Sequence, residues 1–289
     1  MDVKLRIEQA LETAVTRCEA PGAPPRIAAA IRHAVFPGGA RVRPRLCYAV
    51  AGACGAEDPA AVAAAASAIE LLHCASLVHD DLPCFDDAAI RRGRASVHAA
   101  FGEPLAVLAG DALIVLAFET LALGLAGLPA RLPQLVMIVA RATGMPSGIV
   151  AGQAWESEPR AALATYQRAK TGSLFVAATA AGAATAGMDG APWQALGERL
   201  GEAYQIADDI RDAAMRADEL GKPVGRDAAL GRPSAAREFG IGGAVRLLKQ
   251  LVGEAVDSIP ACPGADKLKA LVMMESRLVL PESLLQNAA

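Results

Sequence analysis

In "PAAVAAAASAIELLHCASLVHDDLPCFDDAAIRRGR", residues 59–94, an apolar run interrupted by Glu70 and His73 leads into four aspartates and three arginines within residues 77–94. Alanine is the best helix former, and the run from 59 to 81 is too long for an ordinary strand, so a helix is expected there. Each helical residue turns about 100°, so Asp80 and Asp86, six apart, would face away from one another on a straight helix. Pro83 removes a hydrogen bond between them, and a break at Leu82–Cys84 is expected to swing Asp86 or Asp87 back toward Asp80 and Asp81. A plain surface would spread such charges out. A site for a metal-bound anion needs carboxylates for the cation and guanidiniums for the anion.

The rest of the chain fits this beginning. It has 289 residues, 53% hydrophobic but only 4% aromatic, which favours closely packed helices over a sheet. The net charge of −3 and the lack of a basic stripe interleaved with aromatics exclude a nucleic-acid partner. Six cysteines (18, 47, 54, 74, 84 and 262) form no C-x-x-C pair, which suits a reducing cytosol. The opening "MDVKLRIEQALETAV" carries no secretory signal, and a cytoplasmic location is expected. Mean hydropathy is positive, +0.31, yet the apolar stretches at 59–78 and 104–128 hold Glu70, His73, Asp111 and Glu119. Central carboxylates are costly in a bilayer, so buried helices rather than membrane spans are expected.

Helical patterning recurs at 4–18, 25–35, 43–54, 59–81, 104–128, 131–144, 147–157, 160–187, 191–213 and 241–258, and nothing reads as a strand. The Gly- and Pro-rich breakers between them are too short for an interdomain linker, so one domain over residues 1–289 is expected. The longest irregular stretch, 214–234, carries Lys222, Arg226 and Arg232 among glycines and prolines. It is either a solvated loop or a lid.

A second acidic group lies in "AYQIADDIRDA", residues 203–213, where Asp208 and Asp212 share one helix face with Asp209 beside them. Two carboxylate clusters, each flanked by apolar helix, are unfavourable in a core unless cations lie between them. A site with two or three metal ions for a diphosphate follows. The cations available are Arg41, Arg43 and Arg45 in "ARVRPR", Arg91 and Arg92 behind the first cluster, Lys170 in "AKTGSLF", and Lys222. Together they suggest two polyanion pockets, one served through metal and one directly.

With these residues assembled, the chain resembles the trans-isoprenyl diphosphate synthases, the polyprenyl synthetase family. From about 35 to 240 the motifs occur in the family's order. "GGARVRP" resembles G-G-K-R-x-R-P, and "ELLHCASLVHDDLPCFDD" resembles E-x-x-H followed by the first aspartate-rich motif. "RRGR" resembles the tandem arginines, while "KTGSLF", "YQIADDIRD" and "GKPVGRD" resemble the later blocks. The resemblance implies an all-α bundle of antiparallel helices around a central substrate cavity, usually a homodimer. It implies Mg²⁺ on Asp80, Asp86 and Asp208, with Asp81, Asp209 and Asp212 in support. Arg91, Lys170 and Lys222 would hold an allylic diphosphate, and Arg43, His73 and Arg92 isopentenyl diphosphate. Thr171 and Gln205 would line the reacting centre. The implied reaction is ionisation of the allylic diphosphate and attack on the cation by the double bond of isopentenyl diphosphate.

Two positions depart from the pattern. Ala40 stands where the family has lysine, so either Arg41 compensates, or affinity for isopentenyl diphosphate is lower, or the chain is a weakly active partner subunit; Arg232 replaces a lysine near the end of the loop at 221–233, which is expected to close over the diphosphates. Ala75 lies five residues before Asp80, about 7.5 Å along a straight helix. A small residue there suggests a deep tunnel and a C20 product, with farnesyl diphosphate as the alternative. Three other readings have separate marks. A regulatory subunit of a heteromer would be inactive alone, a membrane-embedded aromatic prenyltransferase would need detergent, and a terpene cyclase would not bind isopentenyl diphosphate.

Overall fold

The computed structural model describes residues 2–159, 163–214 and 234–278. Helices dominate them: α1 (Val3–Thr16), α2 (Pro25–Val35), α3 (Val42–Ala53), α4 (Pro59–Asp80), α5 (Val97–Phe101), α6 (Glu103–Gly124), α7 (Leu132–Thr143), α8 (Ile149–Trp155), α9 (Leu163–Gln167), α10 (Ser173–Thr185), α11 (Gln194–Ala214), α12 (Ala235–Asp257) and α13 (Ala265–Leu278). The all-α expectation holds.

The helix read first is the centre of the bundle. The Asp58 carboxylate accepts from the amides of Ala60 (2.8 Å) and Ala61 (3.1 Å), and Pro59 takes the first position, where no donor is needed. From there α4 is apolar over most of its surface, Glu70 and His73 apart, and packs on α1, α2, α3, α6, α7 and α10. The second central helix, α10, is buried at every position except Val176 and packs on α3, α4, α7 and α11. Its alanines let these neighbours approach closely. One core cluster runs from Ile7 and Leu11 through α4 and α6 to Leu174. Others gather around Trp193 and Leu268 and between α11 and α12 at Ile210, Val245 and Leu248.

Two helices are long and apolar enough to cross a membrane. In α4 78% of the apolar window is buried, and in α6 44%. The helix expected from 160 to 187 is present over the described residues 163–185 but is not α-helical throughout. Residues Arg168–Gly172 form a π-helical turn between α9 and α10. Its backbone lies against two glycines: a Cβ on Gly152 of α8 would collide with the Lys170 backbone, and one on Gly201 of α11 would come within 2.8 Å of the Gly172 Cα. The all-helical expectation also missed a short hairpin, β1 (Ile90–Arg91) paired antiparallel with β2 (Arg94–Ala95). Its turn residues, Arg92 (φ 53°) and Gly93 (φ 76°), both have positive φ, as a primed two-residue turn requires. The amphipathic α13 was likewise not anticipated. It is fastened to α3 by the Arg45–Glu275 ion pair.

Candidate active site

The chain reverses at the end of α4. The Asp86 amide donates to the Asp80 carbonyl (2.9 Å), the Asp87 amide to the Leu82 carbonyl (3.0 Å) and the Ala88 amide to the Asp81 carbonyl (3.1 Å), with Asp87 at φ 44°. This is the bend that Pro83 announced. It brings carboxylate oxygens of Asp80, Asp86 and Glu156 within 4.8 Å of one another. All three offer hard oxygen donors, the ligand type that Mg²⁺ prefers. Glu156 sits just beyond α8, and nothing in the sequence marks it, because "GQAWESE" is a short charged patch after a helix.

Lys170 closes this group. Its ammonium lies 3.0 Å from Asp80 Oδ1 and 2.7 Å from Glu156 Oε1, reaching across from the π turn. The next residue faces elsewhere: Thr171 Oγ1 donates to Gln205 Oε1 of α11 (3.1 Å). Gln205 Nε2 in turn donates to Asp209 Oδ1 (3.0 Å), and the Ala235 amide donates to Asp209 Oδ2 (2.9 Å). Consecutive residues of the π turn thus connect the first aspartate motif to the second. Asp208, one residue before Asp209, accepts from Arg211 Nη2 (3.0 Å), and Asp212 lies one turn further along α11.

Two of the aspartates are held by protein groups. Asp81 is 2% exposed and holds the guanidinium of Arg91 (Nε to Oδ1 3.0 Å, Nη2 to Oδ1 2.5 Å), so it orients that arginine and stands outside the carboxylate trio. Burial pushes the Asp81 carboxyl up, and Arg91 pulls it back only in part. Asp209 is buried between Gln205 and the first amide of α12, where it satisfies a helix-end donor. Arg91 itself also lies 3.8 Å from Asp80.

Arg41 is likewise held by protein groups. Its side chain is fully buried, with Nε on Glu8 (2.8 Å), Nη1 on Glu70 (2.7 Å) and Nη2 on the Val35 carbonyl (2.9 Å). Those partners take up its fork. It braces α1 and α4 around the 36–41 loop.

Arg43, two residues on, is different. It projects from α3 with Nη1 3.4 Å from His73 Nε2 and its guanidinium over the rings of Phe175 (4.8 Å) and Tyr204 (5.7 Å). Its buried Nε has no hydrogen-bond partner. Burial pulls its pKa down, and Arg92 adds to this. Burial likewise drives His73 well below the usual imidazole range, reinforced by Arg43, Arg92 and Arg91, so His73 is neutral at pH 7. Arg92 leaves the hairpin turn toward Gly39 and Cys74. Arg43, His73 and Arg92 are thus brought into one electrostatic neighbourhood. Ala75 is buried in α4. Lys222, Arg226 and Arg232, and with them the loop at 221–233, lie outside the described residues.

Known proteins resemble this chain along most of its length. The polyprenyl synthetase family model matches residues 24–259. Geranylgeranyl diphosphate synthase from Cereibacter sphaeroides is 53% identical over 281 residues, covering 97% of this chain and 98% of that protein. The protein of the same name from Rhodobacter capsulatus is 50% identical over 280 residues, covering 97% of each. Among solved structures, an FPP/GFPP synthase from Zymomonas mobilis superposes with a TM-score of 0.77 at 31% identity, over 96% of this chain and 99% of that one. A geranyltransferase from Helicobacter pylori, complexed with magnesium and isoprenyl diphosphate, gives 0.77 at 28% identity, over 93% and 95%. With matching motifs, fold and near full-length relatives, this chain belongs to the polyprenyl synthetase family.

Proposed function

We propose that the protein is a Mg²⁺-dependent geranylgeranyl diphosphate synthase, which adds isopentenyl diphosphate head-to-tail to an allylic diphosphate and releases a C20 product. The observation that carries this reading is the contrast between two cationic groups. Around Asp80, Lys170 and Arg91 are interleaved with carboxylates, which suits a diphosphate bound together with divalent cations. Beside neutral His73, Arg43 and Arg92 bring like charges together, Arg92 lowering the pKa of Arg43, which suits a diphosphate held directly. A cyclase, acting on one diphosphate, needs no second group.

Asp80, Asp86 and, from α11, Asp208 are the proposed cation ligands. Mg²⁺ bound there supplies Lewis-acid stabilisation of the charge that develops on the departing diphosphate. Lys170 and Arg91 hold that diphosphate, while Arg43, His73 and Arg92 hold isopentenyl diphosphate. Thr171 and Gln205, locked together, fix the wall beside the reacting carbon. The apolar helices exclude water, which would quench the allylic cation. The new carbon–carbon bond forms from the double bond of isopentenyl diphosphate, and loss of a proton completes the addition. The enzyme is further proposed to be one domain, to work in the cytoplasm, which its free cysteines suit, and to be a homodimer.

Purified protein with Mg²⁺, isopentenyl diphosphate and each allylic primer in turn is expected to yield mainly C20 diphosphate by chromatography. Absence of elongated product despite intact substrate binding sinks the synthase reading, and turnover only with a second protein makes the chain a subunit of a heteromer. Ala75→Phe is expected to shorten the products. An unchanged product distribution would move the tunnel floor away from α4.

A further inference from the structure

Lys170 is held from two sides, and one of those sides is unexplained by the reaction as described. Its ammonium touches Asp80 (3.0 Å) and Glu156 (2.7 Å). Glu156 is itself fixed: Tyr166 Oη donates to Oε1 at 2.6 Å and Gln153 Nε2 donates to Oε2 at 2.8 Å. The Tyr166 ring also lies 5.9 Å from the Lys170 ammonium. An ammonium is a point charge on a flexible stem with three donors. Two are directed to carboxylates on different elements, which leaves a third for a ligand oxygen and restricts where the stem can wander.

The geometry points to Glu156 as a positioning residue for Lys170, and this rests on the function proposed above. A carboxylate that must receive cations, Asp80, cannot also be relied on to hold the lysine. Glu156 keeps the ammonium aimed at the diphosphate when Asp80 turns to other partners, and Tyr166 and Gln153 hold Glu156 for that purpose. The opposing expectation is equally physical: a negative charge beside an anion site repels the anion, so removing it should tighten binding.

A double-mutant cycle decides between them. Full-length wild type, Glu156→Gln, Lys170→Ala and the double variant are titrated calorimetrically with inorganic pyrophosphate in the presence of Mg²⁺. Positioning predicts that Glu156→Gln weakens binding tenfold or more, and that in the Lys170→Ala background the same change is within twofold of no effect. It also predicts a raised KM for the allylic substrate with an unchanged KM for isopentenyl diphosphate. Tyr166→Phe, a milder change, should weaken pyrophosphate binding a few-fold in the same direction. Tighter binding by Glu156→Gln overturns the proposal. So does an equal loss in both backgrounds, which would mean that Glu156 acts without Lys170. Wild-type turnover is assayed alongside, so that failure of the proposed reaction is recognised separately from the outcome of the binding cycle.

Discussion

Arg41 and Arg43 stand two residues apart on the same helix start and serve opposite ends. Arg41 sits in a triad with Glu8 and Glu70, and the charge environment raises its pKa despite burial. Removing one partner of a buried charge cluster strands the others, at a cost of about 3–5 kcal/mol. Arg41→Met is therefore expected to lower stability by that order in urea denaturation. Arg43 carries a buried, unpartnered Nε beside Arg92 and His73, an arrangement that holds like charges together for a ligand. Arg43→Met is expected to leave the melting temperature level or raise it, while KM for isopentenyl diphosphate rises at least tenfold. If both variants lose stability alike, Arg43 is a structural residue. These two also show what single letters conceal. A sequence marks both as cations near a glycine pair, but which one is enclosed depends on Glu8 and Glu70, 33 and 29 residues away. Glu156 was hidden for the same reason: its carboxylate partners arrive from the end of α4 and the turn beyond it, and its lysine from the π turn.

At the level of elements, the π turn at Arg168–Gly172 places Lys170 on the first aspartate motif and Thr171 on the second. A regular helix turns 100° per residue and would carry the same two side chains on a different schedule. The turn is backed by Gly152 and Gly201, where any side chain meets backbone. Gly201→Ala puts a Cβ 2.8 Å from the Gly172 Cα, so the two segments must separate. A displacement of this kind near reacting groups costs on the order of 100-fold in rate. The expected result is a fall in kcat of about that size with a stability loss of only about 1–3 kcal/mol. Unaltered kcat with the same loss of stability would detach the turn from catalysis. The long helices were legible because alanine runs, Asp58–Pro59 and the proline breakers all agree on where they begin and end. The π turn was not, since "AKTG" fits an α-helix as well, and its register is set by glycines in two other helices. The hairpin at 90–95 escaped because two-residue strands are too short to show an alternating pattern.

For the molecule as a whole, buried titratable groups set a window of pH. His73 has its pKa held well below the usual 6.5, first by burial and then by Arg43. Below about pH 6.5 the unfolded chain takes a proton there that the folded chain refuses, so stability falls as pH drops. Burial pushes Cys47 up to about 12 and Cys74 to about 11, against a usual 9.0. Above about pH 9 the unfolded thiols ionise while the folded ones do not, so stability falls again as pH rises. Melting temperature is expected to be level between these limits. His73→Gln should flatten the acid side, and an acid side as steep as that of wild type would assign the effect to other groups.

The same scale holds the answer to where α6 turns its outer face. Val107, Leu108, Val115 and Leu123 are exposed on it, Val115 at 68% and Leu123 at 56%, although the helix is apolar enough to cross a membrane. Exposed apolar side chains in a row are unfavourable in water and suit a contact face. Asp111 and Glu119 lie on the same exposed side, and placing them in lipid would cost several kcal/mol each, whereas at the rim of a protein interface they cost little. A second copy of the chain, packing its α6 against this one about a twofold axis, is therefore the expected occupant. Sedimentation of detergent-free protein should give a dimer. Val115→Asp should shift it to monomer, since a desolvated carboxylate at the centre of such a face has no partner. A Val115→Asp protein that remains dimeric would move the interface to another face, and wild type that sediments as monomer at micromolar concentration would remove it.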